Sequence, residues 1–293
     1  MSGTIGSGPF GPGAIPGSGG PPPARRRINR EAFTSSLIAL VSSVVFFALL
    51  TFVVVNAPGY NEVRDHFFNA KWFWYSLPLI VNAFWINVQL FLMAEVLILG
   101  LALFIAVLRG LPGPVFFPVR LIATIYADVF RAVPTLLIVT MLGFGIPGLG
   151  IAGIPVDPFP YALIALTLVY SAYVSEVYRA GIESVHPSQE AAARSLGLSR
   201  LQALRYVILP QAVRRVIPPL LNDFIGLQKD TILVSYIGVV EAFRESAIIQ
   251  AAKFNSTPYV ALALIFLLIT IPLTRITDWL VARDRRRYLA GAR

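Results

Sequence analysis

The chain has 293 residues, of which 56% are apolar and only 13% are charged, and its formal net charge is +9. Soluble domains carry about 25% charged residues, so this composition and a mean hydropathy of +0.72 favour a membrane protein. The absence of cysteine excludes thiol catalysis and disulfides, and two distant histidines predict no metal site. The positive charges lie between apolar runs, which argues against a nucleic-acid partner.

The N-terminal region combines a tail of low complexity with one apolar run. Residues 1–23 are rich in Gly, Pro and Ser, a composition that cannot bury enough apolar surface to order itself. Four arginines follow, and the apolar run from Phe33 to Val55 is longer than a typical signal-peptide core. We interpret residues 1–30 as a disordered, basic cytoplasmic tail and 31–75 as an additional transmembrane helix with an external loop.

The remaining apolar regions predict further membrane helices, because about 20 helical residues cross the hydrocarbon layer. The run from Ser76 to Leu108 is too long for one straight span. The predicted spans after the first are Trp85–Leu108, Leu121–Phe144, Tyr161–Arg179, Ile217–Val240 and Tyr259–Val281. The fold class is therefore all-α: a polytopic membrane bundle of about six transmembrane helices.

The distribution of Lys and Arg predicts the orientation, because basic loops stay in the cytoplasm. With both termini inside, cytoplasmic segments hold seventeen of the 24 basic residues, among them those of a C-terminal tail at 283–293. The opposite orientation would reverse this bias. An N-in, C-in topology in a bacterial inner membrane is expected.

One cytoplasmic loop, residues 184–210, has an unusual sequence for a connection between spans. It is rich in Ala, Gln, Glu, Arg and Leu, which favour helix, and it is interrupted by Gly197 and Pro210. Ser188 is expected to cap a short helix that Gly197 ends, and Ser199 to cap the next. We expect Ala191, Ala192 and Ala193 to be exposed, forming a small-residue face that suits insertion into a partner's groove.

This loop resembles the cytoplasmic loop of the permeases of binding-protein-dependent ABC importers. Gly197, Val207, Leu209 and Pro210 match the spacing of that family's motif, although the acid, Glu190, stands one residue early and Ala191 occupies the family's position. The segments 130–134, 209–215 and 227–231 are similar to the branch that transports polar amino acids. The resemblance implies a type I importer fold over residues 76–282.

The resemblance also implies partners and a coupling site. The expected partners are ABC ATPase subunits, an extracytoplasmic substrate-binding protein, a second permease copy or homologue, an amino-acid substrate and membrane lipid. No lysine lies in a Gly-Lys-Ser/Thr sequence, so ATP and Mg would be bound by a separate ATPase, and this chain needs no cofactor and is not an enzyme. The residues expected to couple to the ATPase are Ser188, Glu190, Ala191, Ala192, Ala193, Arg194, Ser195, Leu196 and Gly197.

Ionisable residues within spans are costly, so they face the bundle interior or a watery cavity. Asp128 with Arg131, and Glu176 with Arg179, have the spacing of structural ion pairs. In the resembling amino-acid permeases, the region of Asp230 and Thr231 lies along the translocation path, where a carboxylate could receive the substrate ammonium. The candidate path residues are Asp230, Thr231, Lys229, Arg131 and Glu95.

Two other functions are compatible with parts of the sequence. An ion-coupled secondary transporter or channel would use the charges within spans, but it would not explain the helical loop at 184–210. A membrane enzyme has no visible catalytic group, because no cysteine, histidine pair or cluster of carboxylates converges in the sequence.

Overall fold

The structure, a computed structural model, describes residues 30–291, and the side chains from 34 to 283. All regular structure in this range is helical, in agreement with the predicted all-α class. The predicted tail at 1–30 lies almost entirely outside the described residues. The helices are α1 Arg30–Val55, α2 Tyr60–Phe67, α3 Ala70–Arg109, α4 Phe117–Ala132, α5 Thr135–Thr140, α6 Ile146–Gly148, α7 Pro158–Glu183, α8 Pro187–Ser195, α9 Arg200–Ala203, α10 Leu209–Asp230, α11 Ala242–Lys253 and α12 Thr257–Gly291.

The chain divides into two compact units, one ending at Tyr60 and the other beginning at Asn61. The first unit contains α1, whose side chains are exposed along its whole described length, as expected for a helix surrounded by lipid. The second unit contains the other helices. The predicted boundary between residues 75 and 76 falls inside α3, which is continuous there.

By length and apolarity, four described helical segments can cross a membrane, and a bent pair adds a fifth candidate. The four are Thr34–Val55, Tyr60–Arg109, Pro158–Glu183 and Thr257–Arg283, and the pair is Pro114–Ala132 with Thr135–Gly148, bent by 104°. Pro134 explains the bend, because Val133 before it is extended and proline cannot continue the helix of α4.

The predicted fifth span differs most from the structure. Helix α10 ends at Asp230, and residues 231–237 form a 3₁₀ turn that stops at Gly238 in a left-handed conformation. The helix carries five charged side chains, so it does not have the composition of a simple span. The total of six spans therefore stays a prediction. Helix α11 was not predicted, since its sequence is neither strongly apolar nor amphipathic.

The core of the second unit lies where α3, α7 and α10 meet. Leu90, Ile98, Leu166 and Leu227 are fully or almost fully buried there. A smaller apolar cluster joins α3 to α11 and α12 through Ile80, with no exposed surface, and Ala242 and Ala261 beside it. Helix α7 is thus central, and its C-terminal end leads directly into the loop at 184–210.

Candidate functional site

The short helix predicted in the loop is present as α8. Its N-cap is His186, whose Nδ1 accepts a hydrogen bond from the Ser188 backbone N–H at 3.2 Å. The prediction that Ser188 is the cap was wrong, because Pro187 already occupies the first helical position, which proline favours. At the other end, the N–H of Gly197 bonds to Arg194 O and that of Leu198 to Ala193 O, the two bonds of a Schellman motif. Gly197 has φ +88°, so it ends the helix as predicted.

The outer face of α8 is smaller in area than predicted. Ala191 and Ala192 are exposed, but Ala193 is only 4% exposed, so the expectation of three exposed alanines was wrong for this residue. The reason is helical geometry, since adjacent residues point about 100° apart and Ala193 is the one of the three that faces the rest of the loop. Leu196 at the end of the helix is 83% exposed, which extends the outer face with a large apolar side chain.

Glu190 lies on the inward side of α8, one turn before the buried Ala193. Its side chain is 39% exposed, and its carboxylate lies 3.9 Å from the Arg200 guanidinium within the same loop. The acid is thus directed towards the chain itself, whereas the family's acid position, Ala191, is on the outer face. Arg194 and Ser195 are exposed, and the Ser195 hydroxyl donates to Ala192 O at 2.8 Å.

The second half of the loop returns the chain to the bundle. Ser199 caps α9 as predicted, with a reciprocal capping box in which Gln202 Oε1 accepts from the Ser199 N–H at 2.8 Å. A π-helical turn over 204–208 connects α9 to α10, and Pro210 lies in the first turn of α10. Because Pro210 needs no backbone donor there, it begins the helix and does not break it.

The helices on either side of the loop contact each other directly. A Cβ added at Gly181 of α7 would overlap Val216 Cγ2 and lie 3.4 Å from Ala212 O of α10. Arg215 also donates a hydrogen bond to Ser184 O. The loop therefore projects from a pair of helices that are closely packed at this end.

The candidate path residue Asp230 lies inside the bundle, partly buried, at the end of α10. Its Oδ2 accepts a hydrogen bond from the Tyr170 hydroxyl of α7 at 2.9 Å. Tyr170 also interacts electrostatically with Asp223, which lies seven residues, or about two turns, before Asp230 on α10. Glu95 of α3 interacts electrostatically with Asp223 in turn. Asp223 thus interacts with Glu95 of α3 and with Tyr170 of α7, and Tyr170 in turn binds Asp230.

Sequence reasoning missed Asp223, although it shares a helix face with Asp230. Its Oδ2 is buried and has no hydrogen-bond partner among the described residues. Lys229 is exposed and lies beside Asp230 in the chain, pointing in another direction. The spacing of seven between the two aspartates was the signal that could have identified Asp223.

Two of the predicted path residues, Thr231 and Arg131, are bonded to other residues of the bundle and do not belong to this group of carboxylates. Thr231 has no exposed surface, and its hydroxyl donates to Gln228 O at 2.8 Å and accepts from Asn87 Nδ2 at 3.1 Å. It is therefore unavailable to hold a substrate carboxylate, contrary to the prediction. Arg131 pairs with Asp128 at 3.3 Å, as the spacing predicted, and with Glu176 at 3.4 Å.

Glu176 is the centre of a network of ion pairs between three helices. Its carboxylate contacts Arg109 at the end of α3 at 2.8 Å, Arg131 of α4, and Arg179 one turn later in α7. Arg179 also pairs with Glu183 at 2.6 Å. The predicted pair of Glu176 with Arg179 is confirmed, and Glu176 also binds α3 and α4, which was not predicted.

A second polar network is fully buried and was not predicted. Glu241, with no exposed surface, caps α11 by accepting from the backbone N–H groups of Phe243 and Arg244, both at 2.9 Å. Asn87 of α3 donates to Glu241 at 2.9 Å and accepts from the Ala242 N–H at 3.1 Å. These bonds join α3, α11 and the 3₁₀ turn that follows Asp230.

The fold and the loop together define a class of protein. Several apolar helices surround a polar interior, and a rigid helix with an exposed small-residue face projects from two closely packed helices. This is the architecture of a membrane transport subunit that is moved by a partner.

Residues 99–286 match the family described as binding-protein-dependent transport system inner membrane component, and the chain belongs to that family. The predictions of an ABC importer permease, of a multi-pass inner-membrane location and of a transport subunit in place of an enzyme are confirmed. Membership of this family does not favour the alternative function, an ion-coupled secondary transporter or channel. Importers of this family work with an ATPase and a substrate-binding protein.

Known relatives are named for amino-acid transport. The probable glutamine ABC transporter permease protein GlnM of Bacillus subtilis is 35% identical over 65% of this chain and 85% of its own length. The probable amino-acid ABC transporter permease protein PatM of Vibrio harveyi is 31% identical over 73% of this chain and 95% of its own length.

Solved structures show a similar fold. A chain from the crystal structure of an amino acid ABC transporter with histidines is 33% identical, with a TM-score of 0.64 over 70% of this chain and 94% of that one. A chain of the MetNI methionine ABC transporter shares the fold, with a TM-score of 0.57 at 15% identity.

Proposed function

We propose that this chain is the permease subunit of an importer for a polar amino acid. It would form a dimer with a second copy or a homologue. Two ATPase subunits would bind on the cytoplasmic side and a substrate-binding protein on the extracytoplasmic side. The relatives that cover most of this chain are named as glutamine or amino-acid permeases, and this supports the substrate class. In this proposal the ATPase subunits bind ATP and Mg.

The single observation that supports the coupling role best is the exposed outer face of α8. Ala191, Ala192 and Leu196 are exposed on a helix that is capped at both ends and packs against α9 and the π-helical turn before α10. A groove that receives this face would meet small apolar side chains, whereas the acid, Glu190, points back to Arg200. We infer that docking of this chain depends on shape and apolar contact more than on an acidic side chain.

Co-purification tests the coupling role. Ala192→Pro removes a helical hydrogen bond and introduces a clash with the preceding turn, so it should abolish recovery of the ATPase with the solubilised permease. Ala192→Ser, which is similar in size and compatible with the helix, should keep it. Glu190→Gln should have little effect. Normal ATPase recovery with Ala192→Pro would contradict the proposed docking helix.

For the translocation path, we propose that the carboxylates of Asp230, Asp223 and Glu95 receive the substrate ammonium. Such a charge-assisted bond would give an amino acid one fixed orientation. Thr231 is omitted for the reason given above, and Arg131 for its ion pairs.

Uptake measurements separate substrate binding from a structural role of Asp230. Asp230→Asn keeps an oxygen that accepts from Tyr170, but it loses the charge, so uptake should be lost while assembly with the ATPase is kept. Tyr170→Phe removes the same hydrogen bond but keeps the charge, so a substantial part of the uptake should remain. If Tyr170→Phe abolished uptake and Asp230→Asn did not, the Asp230 bond would be structural and the path assignment would fail.

A further inference from the structure

Two lysines from distant parts of the chain converge on one indole ring. The Nζ of Lys71, in the first turn of α3, lies 5.1 Å from the centroid of the Trp72 ring. The Nζ of Lys253, the last residue of α11, lies 5.6 Å from the same ring and 5.6 Å from the Tyr75 ring. The two aromatic rings contact each other edge to face, with centroids 5.7 Å apart.

Neither ammonium group has a carboxylate within ion-pairing distance in the part of the chain that the structure describes. Lys71 and Lys253 are both exposed, and contact with an aromatic face is a weak interaction that leaves their positive charge available to a further ligand. Two ammonium groups held near one ring also repel each other, and an anion between them would relieve this repulsion. The chemistry of the pair therefore fits a phosphate or carboxylate ligand.

The neighbouring residue Phe254 adds an apolar side chain to this surface. It is 83% exposed and has φ +51°, the only positive φ of a non-glycine residue in the described range. The residue after it fixes this geometry, since Asn255 donates to Asp65 O at 2.8 Å and accepts from the Thr257 N–H at 3.0 Å. Phe254 thus presents an exposed aromatic ring next to Lys253 in the chain, and it does so in a backbone conformation that most non-glycine residues avoid.

We propose that Lys71, Trp72, Tyr75, Lys253 and Phe254, here called the Trp72 platform, bind the headgroup phosphate of an anionic phospholipid in the outer leaflet. In the predicted N-in, C-in topology, these residues lie at the extracytoplasmic end of α3, where its apolar span begins. Aromatic rings with lysines at the end of a span are typical of the headgroup region of a membrane.

A lipid fits this surface better than a protein does, because the platform continues into exposed apolar residues farther along α3. Leu79, which follows Trp72 by seven residues and therefore lies on the same face of α3, is 40% exposed. An acyl chain could lie along Leu79 while its phosphate meets the two lysines. A protein docked at the end of α3 would cover the platform but would leave the apolar surface farther along the helix uncovered.

Native mass spectrometry of the purified chain can test the proposal after reconstitution in equimolar phosphatidylglycerol and phosphatidylcholine. The wild-type chain should retain phosphatidylglycerol selectively. Lys253→Gln and Lys71→Gln should each reduce this retention roughly fivefold, the usual effect of one basic residue at an anionic surface. Arg244→Gln, which removes an exposed charge from the same helix as Lys253, is the matched control and should keep retention unchanged.

Equal retention by Lys253→Gln and Arg244→Gln would overturn the proposal, since it would show only a general effect of charge. Unchanged lipid retention combined with weaker binding of the extracytoplasmic binding protein would also overturn it, and would assign the platform to that partner. A Trp72→Leu variant gives a second test, because it keeps both lysines but removes the ring that gathers them. Its thermal unfolding temperature should stay close to that of the wild type while selective retention falls.

Discussion

Asn87 is expected to contribute more to stability than any other single polar residue of α3. It is 2% exposed and makes three hydrogen bonds, to Thr231, to Glu241 and from the Ala242 N–H. Asn87→Ala would leave a buried N–H and part of a buried carboxylate without partners. At about 1–3 kcal/mol for each group that loses its bond, we expect a loss of roughly 3–5 kcal/mol in the free energy of unfolding.

Thermal unfolding of the detergent-purified protein would measure this loss. The expected free-energy change corresponds to a decrease in Tm of roughly 10 °C for a domain of this size. Asn82→Ala is the matched control, because Asn82 lies on the same helix but is exposed. It should lower Tm by no more than about 2 °C, since exposed substitutions usually change stability by less than about 0.5 kcal/mol.

Similar Tm values for the Asn87 and Asn82 variants would refute this reasoning. They would show that the buried network does not hold α3 against α11. A large decrease in Tm for both would point instead to a general sensitivity of this helix, and it would also count against the network as the cause.

Three further predictions use the same unfolding assay. Glu176→Gln should cost about 2–3 kcal/mol, because it leaves the arginines around it without their shared carboxylate, whereas Glu183→Gln, 60% exposed, should cost less than about 0.5 kcal/mol. Gly181→Ala should cost about 1–3 kcal/mol by overpacking α7 against α10, while Gly100→Ala, with open space around it, should be neutral or stabilising. Ser199→Ala should remove the capping box of α9 at a cost of about 1 kcal/mol and increase proteolysis of the loop.

The sequence predicted the features that depend on local physics. Apolar runs predicted α1, α7 and α12, and the break at Pro134 follows from the stereochemistry of proline. Gly197 and Ser199 ended and began their helices as expected, because each acts on its own few residues. The end of α8 and the start of α9 were therefore predictable from the sequence, whereas the cap of α8 and the burial of Ala193 were not.

The features that were missed depend on contacts between distant segments. Asn87 and Glu241 are 154 residues apart, and nothing in either local sequence indicates that they bond. Thr231 was assigned to the substrate path because of its neighbours in the chain, but Asn87 approaches it from another helix. Likewise, the contact of Glu190 with Arg200 depends on how α8 packs against α9.

The packing around Gly181 gives a physical route by which movement of α8 could reach the interior carboxylates. Because Gly181 of α7 has no side chain, Val216 of α10 occupies the space where its Cβ would lie, and displacement of one helix moves the other. Both helices continue to Tyr170 and Asp230, which are joined by a hydrogen bond of 2.9 Å. A rigid-body shift of the pair would carry this bond intact, whereas a shear between the helices would break it and free the carboxylate of Asp230. In a shear mechanism, Tyr170→Phe should favour the state in which Asp230 is free, and so alter ATPase stimulation even where substrate is absent.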